Sequence, residues 1–295
     1  MRRVLVLALT VGLAGVAQAQ TYLEVEGNDT RATANVIASM VSGESFGGTS
    51  SAASGVGLDY WRVGTAAAPL GIYRHTLTMN NTAFTASIRN LSVTTAPADT
   101  LAGVPWDGVA GTVGPTEGNG QSSFGAVSEL NSWYGFGRNE SVMYRINGSS
   151  PTTALYQVSL TSALVTPVNI GTFQQGQIAI TTFAQGHTTD TDMWVYDSNL
   201  NAMVGYGNDD ESPLGGTPGT GASVQSYLNR NYAPGTYYLA LSNFNVMNSL
   251  ASPSDDDFRT GGVLEFGDAV LTSSATTGLN LSFAVSDSAG TVRCL

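Results

Sequence analysis

The stretch Asp190-Thr-Asp-Met-Trp-Val-Tyr-Asp-Ser-Asn-Leu-Asn-Ala-Met-Val-Gly-Tyr206 decides the fold class, because it reads as strand, tight turn, strand. Met193–Tyr196 and Ala202–Tyr206 are short apolar and aromatic runs. Between them, Asp197-Ser-Asn-Leu-Asn201 offers side chains that bond nearby backbone and so favour a turn. A third strand is expected over Thr236–Phe244, entered through Ala233-Pro234-Gly235, where Pro followed by Gly predicts a type II turn. Acids gather at the ends of these runs: Asp190, Asp192, Asp209, Asp210 and Glu211. Together they predict the edge of a β-sandwich with a carboxylate-rich rim.

Working outward, the rest of the chain repeats that texture. Strands are expected at Glu44–Phe46, Tyr60–Val63, Ile72–Met79, Phe84–Val93, Val142–Ile146, Ala154–Leu160, Gly171–Phe173, Gln177–Phe183 and Asn280–Val285. Several of these alternate with the strand period. Ala96–Ser132 is rich in Gly, Pro and Thr and shows no period, so it reads as an insertion loop, bounded at about 96–140. Ser249–Gly262, with Asp255-Asp256-Asp257, reads as a second polar loop. Arg31–Met40 could hold a short helical turn capped by Asn28-Asp29-Thr30. The pattern is interrupted near Thr161–Val168, where Pro167 falls, and the parts on either side share an order of strands and long loops. The expected architecture is all-β: two tandem, jelly-roll-like β-sandwich domains with long polar loops, spanning 20–165 and 166–295.

Composition narrows the partners. The chain of 295 residues has a formal net charge of −11, and its eleven basic residues are all Arg. So acidic a surface argues against nucleic acid and anionic membranes and is compatible with divalent cations or with simple solubility. The single cysteine, Cys294, leaves no internal disulfide and no cysteine-based metal site. Met1–Ala19 carries Arg2 and Arg3, an apolar run over Val4–Val16, and Ala17 and Ala19 at the −3 and −1 positions. These are the parts of a secretory signal peptide, with cleavage expected after Ala19 and no membrane insertion of the remainder. The expected location is secreted or cell-surface.

Glu24, Glu26, Asn28 and Asp29 place four oxygen-bearing side chains within six residues, which suits a hard cation such as Ca²⁺ and also suits a polar N-terminal arm. Glu24-Val-Glu-Gly-Asn28-Asp-Thr30 before Ala32–Ile37, Leu58-Asp59-Tyr-Trp61, the Asp190–Asn199 segment and Ala233-Pro-Gly-Thr-Tyr-Tyr-Leu-Ala-Leu-Ser-Asn243 together resemble bacterial pre-peptidase C-terminal domains. These are small β-sandwich modules of secreted proteins. The resemblance implies a non-catalytic module in a structural or ligand-attachment role. It also implies a Ca²⁺ site at Glu24, Glu26, Asn28, Asp29 and Asp59. The chain departs from the family pattern at Gly57, where a second Asp is common, and its second half lacks an acidic start.

The remaining motifs carry less. Gly43-Glu-Ser45-Phe-Gly47 has the spacing of a nucleophile elbow but is followed by a Gly/Ser-rich run that is no helix. His75 lies mid-strand beside aromatics, and His187 lies in a loop near Asp190 and Asp192 without triad spacing. The Asp190, Asp192, Asp209, Asp210 rim lacks the EF-hand pattern and reads as acids making turn hydrogen bonds. No catalytic residue and no enzyme activity is expected. The alternative to a structural or attachment role is a carbohydrate-binding module that stacks sugars on exposed loop aromatics, Trp106 and Trp133. The implied partners are an extracellular polysaccharide or a protein.

Overall fold

The computed structural model describes residues 20–29, 33–49, 58–80, 86–91, 100–101, 104–105, 129–148, 155–208, 224–243, 246–247, 270–272 and 280–294. Met1–Ala19, Thr30, Gly57, Trp106, Asp209, Asp210, Glu211 and Asp255–Asp257 lie outside these residues.

Strands dominate the described residues, with no α-helix among them. In chain order the first are β1 (Thr21–Leu23), β2 (Asn35–Met40), β3 (Ser45–Thr49), β4 (Leu58–Thr65), β5 (Ile72–Asn80), β6 (Ala86–Leu91) and β7 (Thr100–Leu101). Next come β8 (Val104–Pro105), β9 (Glu129–Gly135), β10 (Ser141–Gly148), β11 (Leu155–Val165), β12 (Gly176–Thr181) and β13 (Thr191–Tyr196). The chain ends with β14 (Ala202–Asn208), β15 (Tyr227–Tyr232), β16 (Tyr238–Asn243), β17 (Val246–Met247), β18 (Val270–Thr272), β19 (Phe283–Asp287) and β20 (Gly290–Cys294).

Two sheets make the first sandwich. One runs β1-β3-β11-β5-β9-β18-β17 and the other β2-β4-β10-β6. Phe46, Leu77, Met79, Trp133, Tyr156, Val158 and Leu160 from the first meet Ile37, Met40, Trp61, Val63, Val142, Tyr144 and Ile146 from the second in one buried cluster. The alternation visible in Ile72–Met79 is what delivers Leu77 and Met79 to that core and leaves Arg74 exposed.

The second sandwich packs β15-β12-β19-β20 against β14-β13-β16. Ile180, Leu228, Tyr232 and Val285 face Met193 and Val195 there. Strand β13 is buried along its whole length. Its other face, Trp194 and Tyr196, packs with Leu200 and Ala202 against Phe136, Ile72 and Tyr134 of the first sandwich. Of the stretch that decides the fold class, β14 lies at the edge of its sheet, as the acidic flanks suggest, but β13 does not. It is the middle strand of its sheet, covered on both faces, which is why Met193–Tyr196 reads as a continuous apolar run rather than an alternating one.

Other expectations shift for local reasons. Within Arg31–Met40, Thr33 sits in a 3-10 turn, but Asn35–Met40 is strand β2, paired in parallel with β4; β-branched Val36 and Ile37 favour the pleated surface. The stretch expected to be an insertion loop contains β9, which pairs with β5 and carries Trp133 into the core. Gly171–Phe173 forms no strand. Gly235 stays outside the left-handed region, so the expected type II turn is not made. The Asp197–Asn201 turn does form: Asp197 Oδ1 accepts the N–H groups of Asn199 (2.8 Å) and Asn201 (2.9 Å), and Leu200 takes φ 61°.

Strands β17 and β18, which follow the expected boundary at 165/166, complete the sheet of the first sandwich through β9. The seam between the sandwiches is fastened by the β9–β10 turn. Arg138 Nη1 donates to Leu200 O (3.3 Å), and Nη2 donates to Asn199 O and to Asn201 Oδ1 (3.0 Å). Arg138 also sits 5.8 Å over the Phe136 ring.

Burial and hydrogen bonding at this seam differ in weight. Phe136 is buried and Arg138 is exposed. Phe136→Ala is expected to cost about 3 kcal/mol in urea unfolding. Arg138→Ala is expected to cost only about 1 kcal/mol or less, because its bonds compete with water. A larger loss for Arg138→Ala than for Phe136→Ala would show that polar bonds, not packing, hold the seam.

Candidate metal centre

The N-terminal strap brings the sequence-predicted ligands to the open end of the first sandwich. β1 pairs in parallel with β3, and the pairing continues as Glu24 N–H donates to Gly47 O (2.9 Å). The Asn35 side chain grips both backbone groups of Val25, at 3.1 Å each. Tyr60 N–H donates to Asn28 O (3.0 Å), which ties the strap to the start of β4, where Asp59 stands. Glu24 then lies over Gly48: a Cβ there would come within 2.0 Å of Glu24 Oε2. Only the missing side chain of Gly48 lets the carboxylate into this position.

Glu24 Oε2 accepts Thr49 N–H (2.8 Å), and Oε1 accepts the Asn28 amide (3.0 Å). Asp59 is 2% exposed and shares the inner face of β4 with Trp61 and Val63. Its carboxyl is hydrogen-bonded to Glu24 and to the hydroxyl of Tyr156, which itself accepts the Trp61 indole N–H at 2.9 Å. Asp59 Oδ2 and Asn28 Oδ1 have no partner, and Asn28 is fully buried. Burial, followed by the charge of Glu24, pushes the Asp59 carboxyl up to about 9, and Glu26 adds to the rise. The charges that act on Asp59 are thus all negative. Burial, followed by the charges of Asp59 and Glu24, pushes the Tyr156 hydroxyl up as well.

A buried carboxyl in this setting either keeps its proton or meets a cation. The donor set fits a hard cation: two carboxylates, an amide oxygen and no sulfur or imidazole. It is a partial shell. Among the described residues no three His, Cys, Asp or Glu groups converge as a complete ligand set. Glu24, Asn28 and Asp59 come together, and Glu26 acts on Asp59 through its charge from an exposed position. Asp29 is exposed and does not figure among the charges on Asp59. Sequence reading missed Tyr156 and Thr49, since both reach the site only by strand pairing: Tyr156 lies opposite Gly48, and Leu155 opposite Thr49.

The other singled-out residues sit elsewhere. Ser45 lies within β3, not on a strand-to-helix turn, and its hydroxyl meets Thr21 Oγ1 (3.1 Å) and Gln157 Nε2 (3.0 Å). His187 Nε2 bonds Ser282 O (2.8 Å), and its Nδ1 accepts Thr189 N–H (3.2 Å), so the ring staples a loop. Asp192 is fully buried in β13, while Thr182, Thr191 and Ser226 form a buried hydroxyl cluster beside it. Trp133 is fully buried in β9 and cannot offer its face to a sugar, which removes one of the two aromatics of the carbohydrate-binding alternative. His75 is buried, with Nδ1 on Ser162 Oγ (2.8 Å) and its ring 4.3 Å from Trp133. Burial drives its imidazole down to about 4.

Gly48→Ala is expected to displace Glu24 from the site while leaving the strands paired; the check is loss of a Ca²⁺-induced rise in melting temperature without loss of the circular dichroism of the fold. For His75 the folded value lies below the ordinary one, so the unfolded chain binds the extra proton first. Stability should therefore fall as pH drops from about 6.5 toward 4, by up to ~3 kcal/mol. His75→Gln should flatten that part of the pH profile. Compared with known proteins, the chain matches no family model and no curated protein.

Proposed function

We propose that this is a secreted, non-catalytic β-sandwich protein in which a resident Ca²⁺ ties the N-terminal strap to the core, acting at the cell surface or exterior in a structural or ligand-attachment role. One observation carries the cation: Asp59 and Glu24 are pressed together in a buried position with Asp59 Oδ2 and Asn28 Oδ1 left without partners. As bare carboxylates such a pair costs the fold desolvation and repulsion, which the hydrogen bonds to Thr49, Asn28 and Tyr156 offset only in part. A bound cation satisfies both orphaned oxygens and reverses the sign of the field. The resemblance of Glu24–Thr30 and Asp59–Trp61 to pre-peptidase C-terminal modules supports the same residues. The leader-like Met1–Ala19 supports an extracellular setting, where Ca²⁺ is abundant.

Calorimetry in Ca²⁺ and in chelator tests this. At a hundredfold excess over Kd, Ca²⁺ should add roughly 2.7 kcal/mol, which shifts Tm by about 5 °C or more for a chain of this size. Asp59→Asn keeps the shape but removes the charge. It should melt higher than the unsubstituted protein in chelator and show little response to Ca²⁺. An unchanged Tm on adding Ca²⁺ to the unsubstituted protein would remove the cation from this reading.

A further inference from the structure

The seam between the sandwiches has a histidine built into its support. His75 is on the inner face of β5, 5% exposed, with Ser162 on Nδ1 and no partner for Nε2. It lies directly under Gly135, the last residue of β9. The point where a Gly135 Cβ would stand is 2.9 Å from His75 Nε2, 3.1 Å from the Trp133 ring and 3.2 Å from Glu140 Oε2. Imidazole and carboxylate thus approach the same spot from two sides, and only a glycine leaves them room.

Glu140 holds the turn that makes the seam. Its Oε1 accepts Phe136 N–H and its Oε2 accepts Arg138 N–H (3.0 Å), while its backbone carbonyl accepts Thr65 N–H (2.9 Å), which extends the β4–β10 pairing. Phe136 packs with Trp194 and Tyr196, beside Ile72 and Tyr134, and Arg138 bonds the Asn199–Asn201 turn. Among the described residues, the other groups near His75 offer no competing acceptor of full charge. Tyr73 stacks at 6.3 Å on its own strand, and Arg74 points to solvent. Glu44, on the neighbouring loop, is already bonded to Val41 N–H (2.9 Å) and Tyr22 Oη (3.2 Å). Across the seam, Arg138 and Asp197 carry opposite charges that act on one another.

We propose that His75 is an acid-operated latch on the seam: a proton taken up from solvent on the imidazole turns Nε2 into a donor that draws Glu140 away from the Phe136 and Arg138 amides, and the turn lets go of the second sandwich. No bond is made or broken beyond the proton transfer. At neutral pH the imidazole is uncharged, Glu140 stays on the turn, and the two sandwiches are held as one body.

The test uses the full chain. Histidine-labelled protein has two imidazoles to follow, and His75→Gln assigns the His75 signal. Amide hydrogen exchange is measured in parallel at residues 136–138 and 199–201, with β10 and β11 as internal reference. Below the His75 midpoint, protection at the two turns should fall about tenfold per pH unit while the reference strands hold. His75→Gln should abolish that pH dependence. If the substitution prevents folding, Glu140→Gln serves instead and should uncouple seam exchange from the His75 titration. Three results overturn the proposal: the same pH profile in the variant, turns that stay protected while His75 titrates, or loss of protection only together with the reference strands.

Discussion

Everything in this fold depends on β13 having two covered faces. Met193 and Val195 complete the second core, and Trp194 and Tyr196 complete the seam with the first sandwich. A strand exposed on one side can be polar on that side. A strand between two cores cannot, because each unpaired polar group there would cost more than the packing returns. The aromatic weight of the run follows, as does the tight Asp197–Asn201 turn. That turn reverses the chain so that Leu200 and Ala202 enter the same seam. Leu200 accepts a left-handed backbone, unusual for its type, and its burial offsets the strain.

The candidate metal centre and the seam occupy opposite ends of β11. Tyr156, near its start, reaches Asp59; Ser162, near its end, reaches His75. At both ends a titratable group is buried beside a glycine that clears space for a carboxylate: Gly48 for Glu24, and Gly135 for Glu140. The consequences differ because the partners differ. At the strap, acids face acids and the field calls for a cation. At the seam, a neutral imidazole faces an acid that is already engaged with backbone amides, so the balance there is set by protons.

Much of this was legible in residues. The strand period in Ile72–Met79 places Leu77 and Met79 inside, and Asp197-Ser-Asn-Leu-Asn201 makes the turn its chemistry favours. Glu24 and Asn28 were also legible as neighbours on one strap, with Asp59 joined to them only by the family resemblance, and the fold brings the three together. Three things were not legible. The Gly/Pro-rich composition of Ala96–Ser132 hid β9, whose strand is set by its neighbours β5 and β18 rather than by its own period. Trp133 looked like a loop aromatic for the same reason. The acidic flanks of Asp190–Tyr206 suggested an edge, which holds for β14 and not for β13, because flanking residues report on loop ends and not on what covers the strand between them.

The sequence by itself determined the all-β class, the places where the chain turns, and which residues carry oxygen at the N-terminal strap. Those are local properties, fixed by side-chain period, backbone preference and spacing within a few residues. Only the tertiary structure decided that Asp59 meets Glu24 and Tyr156 across different strands, that β17 and β18 finish the sheet begun by β1 and β3, and that His75 lies beneath the turn docking the second sandwich. Pairing between strands distant in the chain sets these encounters. Its register follows from burying two sheets at once, a condition no single segment carries.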